Sequence, residues 1–539
     1  MSLEGFVPWP AERAERYRAE GIWAGETLDA MLAAQAAARP DAEAVVDGAR
    51  RWSYAELEAR VGVKARALAQ LGLQPGDRAV LQLGNSADFL EAFFALLRLG
   101  VVPVMALPGH RRSEIAYFVR HARARAYVIP DRVMGFDYRA LAREVRSEVS
   151  TLEFVLVVGE PEEHISWGAL PEASTLELKP VASSAVALLQ LSGGSTGAPK
   201  LIARTHDDYS YSIRESARIC GCEADDRYLV ALPAAHNFTM SSAGILGCLL
   251  TGGTVVMSPS PDPKTVLGAL EGERITVLSG VPTLARAWGS ATAQRQMSFP
   301  HLRLLQVGGA KLAPAVAAEL SEIFPGCLQQ VFGMAEGLVC YTRLDDGPHR
   351  VLESQGRPMS ELDELRVVDE EDREVAQGEV GHLCTRGPYT ICGYFDAPDH
   401  DRRAFTSEGF YRTGDLVRVR PDGYLIVEGR SKEQVNRGGE KVSAVELEEQ
   451  LLEHPRVREA AVVGLPDDFL GERVCAALVC DGAAPTRREV LDFLRARGLA
   501  TYKLPDRVVV LGSLAKTKVG KTDKRQLVEL LTTEKDLKS

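Results

Sequence analysis

Between Thr27 and Leu107 the chain alternates two kinds of hydrophobic pattern. TLDAMLAAQAAARP (27–40) repeats its apolar residues at helical spacing and is stopped by Pro40. EAVVDGARRWS reads as a short strand pair, and YAELEARVGVKARALAQLG as the helix after it. RAVLQLGN is a strand ending in a turn, SADFLEAFFALLRLG a helix and VVPVMAL a strand. Such alternation predicts parallel sheets covered by helices. The pattern returns between Ala185 and Gln330, where AVALLQLS, RYLVALP, TVVMSP, TVLSGVP and LRLLQVGG are candidate buried strands. Each stops at a glycine or proline turn, where open parallel sheets place their ligand sites.

From about Glu364 the texture changes. ELRVVDEEDREVAQGEVGHLCTRG alternates apolar and polar residues, which predicts an antiparallel, barrel-like piece. The tail is compact, with helices at Ala444–Leu452 and Arg487–Arg497, strands at Glu459–Gly464 and Val474–Cys480, and a lysine-rich end. The predicted class is therefore α/β. A large domain, residues 1–431, holds two helix-covered sheets and the barrel-like piece. A small mobile α+β domain, residues 432–539, follows a boundary at Ser431–Lys432. No repeat or low-complexity tract interrupts this order.

Composition narrows the class. A chain of 539 residues is too long for one ordinary domain. With 45% apolar and 25% charged residues it falls among soluble globular proteins. The formal net charge of −11 argues against a nucleic-acid binder. Nine cysteines, an odd count with no CxxC pair, argue against a disulfide framework or a zinc site and for free thiols in a reducing cytoplasm. The N-terminal MSLEGFVPWPAERAERYRAEG lacks the apolar core of a signal peptide. The most apolar stretch, Phe93 to Pro108, is broken by Arg98, Gly100 and two prolines, so no membrane span is expected.

LSGGSTGAPK, Leu191 to Lys200, is the sharpest local signal. Its glycines let backbone N–H groups close around an anion, its Ser/Thr hydroxyls add donors, and Lys200 adds a mobile positive charge. That chemistry fits a triphosphate. The P-loop pattern fails, because Pro199 precedes the lysine and Leu201 follows it. An ordinary Gly/Ser turn between strand and helix is the plain alternative. SGGSTGAPK resembles the phosphate-binding signature of the acyl-adenylate-forming superfamily, which includes acyl-CoA synthetases, nonribosomal peptide synthetase adenylation domains and firefly luciferase. VFGMAEG (331–337), YRTGDL (411–416), GRSKEQVNRGGEKVSAVELE (429–448) and VGKTDK (519–524) match further motifs of that superfamily in the same order. The likeness runs from about residue 25 to the C-terminus.

The resemblance implies two half-reactions, adenylation of a carboxylic acid by ATP and transfer of the acyl group to a thiol. It implies that Ser192, Gly193, Gly194, Ser195, Thr196, Gly197 and Lys200 hold the pyrophosphate end of ATP, and that Glu336, with Thr196 as a second contact, binds Mg²⁺. Gly309, Ala310 and Lys311 resemble the adenine-binding segment, bordered by Gln330, Val331, Phe332 and Gly333. Asp415 matches the aspartate that takes both ribose hydroxyls, and Arg430 also reaches the nucleotide. Lys521 matches the catalytic lysine that sits between the acid and the α-phosphate. Many relatives have proline where Ala515 stands, so the approach to that loop is expected to differ. Lys432 aligns with the hinge about which the small domain rotates after adenylation. That rotation presents Arg437, Gly438, Gly439 and Lys441 to the incoming phosphopantetheine thiol.

LPAAHNFTMSSAG (232–244) narrows the acid. Amino-acid-activating relatives usually carry an aspartate here for the ammonium group; this segment has none. HNF followed by MSS resembles the aryl-acid ligases of siderophore assembly, chiefly those for 2,3-dihydroxybenzoate. By that resemblance His236, Asn237, Phe238, Ser242, Gly308, Gly309, Met334 and Val339 form the acid pocket. Asn237 is placed to meet an ortho hydroxyl and Ser242 a meta hydroxyl. His236 either acts in the pocket or packs against Phe238. Salicylate-selective relatives often carry cysteine and leucine at the positions of Ser242 and Val339, so the pair here favours the dihydroxy acid. No carrier domain follows VGKTDK, so an aryl carrier protein supplied in trans is the expected acceptor. A coenzyme A ligase and a non-catalytic binding protein are the rival readings.

Overall fold

The computed structural model describes residues 3–171, 176–192, 199–430, 434–480, 482–515 and 522–536. The chain divides into two compact units. The larger comprises Met1–Pro108, Phe118–Leu191 and Leu201–Gly429. The smaller comprises Arg430–Ser539 together with Gly109–Tyr117 and Ser192–Lys200. The expected boundary residues Ser431 and Lys432 lie outside the described residues.

Two large sheets build the larger unit. One has nine strands, in the order Arg357–Pro358, Val339–Tyr341, Leu328–Gly333, Leu304–Val307, Val277–Gly280, Arg227–Val230, Thr254–Met257, Glu43–Asp47 and Arg50–Ser53. The run from Leu328–Gly333 to Glu43–Asp47 is parallel. Its outer strand pairs are antiparallel, and the short turn between Glu43–Asp47 and Arg50–Ser53 leaves no room for a helical crossover. The second sheet has seven strands, centred on Val102–Met105, Arg78–Leu81 and Ala126–Pro130, and these pair in parallel. At its edge Val186–Leu191 pairs antiparallel with Leu201–Thr205. The segment between these two strands is therefore flanked by two paired strands, not by a strand and a helix. The antiparallel piece is a four-stranded sheet of Glu364–Val368, Gly381–Arg386, Tyr411–Val419 and Leu425–Arg430.

The helix Ala87–Leu99 touches strands of both large sheets. The Ser86 hydroxyl accepts the Phe89 N–H at its start, and Gly100 closes it in the left-handed conformation. Eleven of its thirteen residues are buried, including Phe89, Phe93 and Phe94, as expected of a helix enclosed by protein.

The smaller unit is a five-stranded sheet buried on both faces. In the strand Gly471–Cys480, Val474, Ala476 and Leu478 face one core, and Cys475, Ala477 and Val479 the other. That two-sided burial is why the strand is a continuous apolar run. The helices Ala444–Leu452 and Arg487–Ala496 supply the first core, and Lys524–Asp536 the second.

Within this unit Lys503, 2% exposed, binds Glu114 at 2.9 Å and Glu446 at 2.7 Å. Burial alone would lower the ammonium pKa; the carboxylates and Tyr502 instead hold it well above the ordinary lysine range. Lys503→Met leaves both carboxylates buried without their cation. It should destabilise the smaller unit by about 3–5 kcal/mol. All five tryptophans lie in the larger unit, so the loss is best read by amide hydrogen exchange in Ala444–Leu452.

Candidate active site

The candidate acid pocket lies at the carboxyl ends of the parallel strands of the nine-stranded sheet. The chain leaves Arg227–Val230, runs through Leu232–Ala235 and enters the short helix Asn237–Ser241. Asn85, from the turn after Arg78–Leu81, anchors that run. Its Nδ2 lies 2.9 Å from the Val230 carbonyl, 3.0 Å from that of Leu232 and 3.2 Å from that of Ser258, and its Oδ1 accepts the Ala234 N–H at 2.8 Å. His236 caps the helix, its Nδ1 accepting the Phe238 N–H at 3.2 Å. A neutral His236 therefore carries its proton on Nε2. This contact answers part of the His236 question: the ring orders the start of the helix.

Asn237 follows at the first helical position. Its Oδ1 accepts from the Tyr209 hydroxyl at 2.9 Å and lies 3.4 Å from the Ser241 hydroxyl. Phe238 packs on the next strand end. A Cβ at Gly308 would lie 3.1 Å from Phe238 Cζ and 2.8 Å from the Val331 carbonyl oxygen, so only glycine allows this approach. Gly333 meets Val339 the same way, at 3.2 Å from its Cα. Val331, Met334 and Val339 are buried. Ser242 is 4% exposed and lies near Tyr341, whose hydroxyl donates to Ser216 at 2.8 Å. Val339 is tied from behind. Its N–H donates to the Tyr389 hydroxyl at 3.1 Å, and Tyr389 donates to Asp363 at 2.6 Å. Burial pushes the Asp363 carboxyl up to about 7, against the Tyr389 hydrogen bond and the Ser360 N–H.

The residues expected around the nucleotide are placed less evenly. Gly309 is exposed, and Ala310 and Lys311 follow it; Lys311 pairs with Glu428 at 3.8 Å. Phe332 is half-buried beside the cysteine strand partner Cys340. Gln330 is buried, and its amide is committed to the Val351 carbonyl at 2.7 Å and to Gln355 at 3.1 Å. Its side chain thus braces the strand. Glu336, 8% exposed, accepts from the Tyr394 hydroxyl at 2.8 Å. Asp415, 2% exposed, lies where the pairing of Tyr411–Val419 with Gly381–Arg386 slips register and Gly414 adopts φ +77°. A bulge of this kind re-aims one side chain, here that of Asp415. Arg430 ends its strand. Ser192 and Lys200 are joined across the phosphate loop. The Ser192 N–H donates to the Lys200 carbonyl at 2.9 Å, and the Lys200 N–H to the Ser192 hydroxyl at 2.9 Å. Gly193, Gly194, Ser195, Thr196, Gly197, Lys432 and Lys521 lie outside the described residues.

In the smaller unit Arg437 and Lys441 flank the turn at Gly438 and Gly439. Arg437 makes a bidentate pair with Asp506, at 2.8 and 2.6 Å, so its charge is largely neutralised within the unit. The Gly438 N–H donates to the Leu470 carbonyl at 2.8 Å. Among the described residues no group of three or more His, Cys, Asp or Glu side chains has the geometry of a metal cage. A lone carboxylate such as Glu336 fits Mg²⁺, which is commonly held by one or two carboxylates and substrate phosphates.

Asn85, Tyr209, Asp363 and Tyr394 are absent from the motif reading. Each acts on a residue at least 26 positions away, and only Asn85, after a strand and before a helix cap, stands where a turn residue signals itself.

Comparison with known proteins shows the family. Residues 32–395 match the family model for AMP-binding enzymes, and residues 446–521 that for the AMP-binding enzyme C-terminal domain. The chain is 52% identical to the 2,3-dihydroxybenzoate-AMP ligase of Bacillus subtilis, over 98% of each chain. It is 47% identical to the salicyl-AMP ligase / salicyl-S-ArCP synthetase of Mycobacterium tuberculosis, over 98% of this chain and 95% of the other. The apo structure of MbtA from Mycobacterium smegmatis superposes with a TM-score of 0.76 at 46% identity, covering 97% of this chain and 98% of that one. The chain belongs to the AMP-binding enzyme family and is an adenylate-forming ligase.

Two tests follow from the supports behind the pocket. Asn85→Ala removes three contacts to the run before His236 and one to Ser258, and should raise the KM for the acid about tenfold or more, with a smaller change in the KM for ATP, in steady-state adenylation. Asp363 binds its proton more tightly folded than unfolded, so the stability it contributes is full below about pH 4 and is lost as the pH rises to about 7. Between pH 5 and 8, urea unfolding of Asp363→Asn should therefore lose about 2 kcal/mol less than the parent.

Proposed function

We propose that this enzyme activates an aromatic 2-hydroxy acid, 2,3-dihydroxybenzoate in first place, as its aryl-AMP, and passes the aryl group to the phosphopantetheine thiol of a carrier protein supplied in trans. The observation that carries this reading is the segment 232–242. It carries an amide, Asn237, a buried hydroxyl, Ser242, and the ring of Phe238, which approaches Gly308 alongside Val331, and it contains no carboxylate to hold an amine. The names of the similar proteins, ligases for 2,3-dihydroxybenzoate and salicylate, support it.

A carboxylate is a poor acyl donor because its leaving oxide is too basic. In the first half-reaction a carboxylate oxygen bonds to the α-phosphorus of ATP, and the bond from that phosphorus to the bridging oxygen breaks, its electron pair leaving with pyrophosphate. In the second the thiol sulfur bonds to the acyl carbon and AMP departs, while the thiol proton passes to solvent. Both steps gain from positive charge placed where negative charge builds. Lys521 and the phosphate loop would supply it in the first. Glu336, oriented by Tyr394, would hold Mg²⁺, which neutralises phosphate charge when bound. Asp415, buried at its bulge, would accept from the ribose hydroxyls. Rotation about Lys432 would exchange the lysine loop for the face around Gly438, Gly439 and Lys441. Arg437, paired with Asp506, would shape that face more than charge it.

All nine cysteines are free, and no helix among the described residues is long and apolar enough to cross a membrane. Free thiols and the use of ATP support a cytoplasmic site of action.

The test is acid-dependent exchange of labelled pyrophosphate into ATP. Exchange should be strongest with 2,3-dihydroxybenzoate, weaker with salicylate, and absent with amino acids or fatty acids; exchange with amino or fatty acids alone overturns the reading. Ser242→Ala should lower kcat/KM for 2,3-dihydroxybenzoate about tenfold relative to salicylate, the value of one hydrogen bond. Competition between a carrier protein and coenzyme A for the bound aryl-AMP then identifies the acceptor.

A further inference from the structure

Asn237 could in principle present either end of its amide to a ligand. A side-chain amide carries an acceptor and two donors, and its partners decide which faces where. Here the oxygen is spoken for. The Tyr209 hydroxyl donates to Oδ1 at 2.9 Å, and the Ser241 hydroxyl, which donates to the Asn237 backbone carbonyl at 3.0 Å, lies 3.4 Å from the same Oδ1. Among the described residues no protein acceptor takes the Nδ2 hydrogens. Tyr209 is itself immobilised. It is fully buried, the Arg204 guanidinium lies 4.9 Å from its ring centroid, and the buried Gln190 side chain adjoins its hydroxyl. Burial raises the phenol pKa, against the pull of Arg204, Ser241 and Gln190, so the hydroxyl keeps the proton it donates.

The geometry points to Tyr209 as a specificity-determining residue. By holding the Asn237 amide with its oxygen turned to the protein, it leaves this position only N–H donors and so selects aryl acids whose ortho substituent accepts a hydrogen bond. The inference rests on the reading that the 236–242 segment holds the aryl acid. The chemistry separates two acids of nearly the same shape. In salicylate the phenol proton turns inward to the carboxylate, so the phenol oxygen shows lone pairs to the pocket. In anthranilate one N–H turns inward and the other points outward, and the nitrogen lone pair is drawn into the ring. An N–H of Asn237 meets an acceptor in the first case and a second donor in the second. Mismatched polar groups in a desolvated site discriminate more strongly than a change of size.

The experiment compares kcat/KM for pyrophosphate exchange with salicylate, anthranilate and benzoate, which has no ortho group, in the parent, Tyr209→Phe, Asn237→Asp and Asn237→Ala. Tyr209→Phe keeps the ring and removes the donor that orients the amide. The salicylate-to-anthranilate ratio should fall at least tenfold, through KM, with the benzoate rate as the internal reference. Asn237→Asp presents acceptors only and should lower the ratio further. An equal fall with all three acids in Tyr209→Phe would overturn the inference, as a purely structural role. So would an unchanged ratio in Tyr209→Phe when Asn237→Ala lowers salicylate relative to benzoate, and in that case the pocket assignment stands. If Asn237→Ala leaves the ratio of salicylate to benzoate as in the parent, the pocket assignment fails and the inference with it.

Discussion

At the carboxyl end of a parallel sheet the backbone runs out of partners, and this protein meets that constraint with one side chain. Asn85 binds the carbonyls of Val230, Leu232 and Ser258 and the N–H of Ala234. Buried backbone groups without partners are costly, and a water-filled gap here would leave the following segment without a fixed path. With the ends tied, the chain reaches His236 in one conformation, His236 caps the short helix, and Asn237, Phe238 and Ser242 take their places. Asn85 comes from the turn of the seven-stranded sheet, so the pocket on one sheet is held by the other.

The helix Ala87–Leu99 makes that tie rigid. It starts at Ala87, directly after its cap Ser86 and next to Asn85 in the chain, and its buried phenylalanines leave it little freedom to shift. Close-packed interiors transmit position well. The same logic recurs behind Val339, where Asp363 and Tyr389 hold the strand N–H, and behind Glu336, where Tyr394 holds the carboxylate. The side chains proposed to meet a ligand are thus held by residues outside that proposal. Catalysis and selection that depend on placement within about an ångström require this arrangement.

Much of the fold was legible along the chain. Strand–helix alternation marks parallel sheets because a period of 2 and a period of 3.6 leave distinct traces, and the buried strands were found where their apolar runs end in glycine or proline. The tail was read closely too: the helix at Ala444–Leu452 has the bounds its pattern suggested. The antiparallel pairing of Val186–Leu191 with Leu201–Thr205 was not legible, since an apolar run such as VALLQL does not say which way its neighbour runs. Gln330 also escaped, because a glutamine in an apolar strand looks alike whether its amide meets a ligand or the Val351 carbonyl.

By itself the sequence determined the class of chemistry, because anion loops, metal-binding carboxylates and small residues beside a flat base need particular residue types at particular spacings. It also narrowed the acid, through the lack of a carboxylate in 232–244. Tertiary structure alone decided which end of the Asn237 amide is bound by the protein. Whether Asn237 offers an oxygen or an N–H depends on Tyr209, 28 residues away, and whether Arg437 carries a usable charge depends on Asp506, 69 residues away. Hydrogen bonds and ion pairs act over about 3 Å, and no local pattern records which distant residue the fold will bring that close.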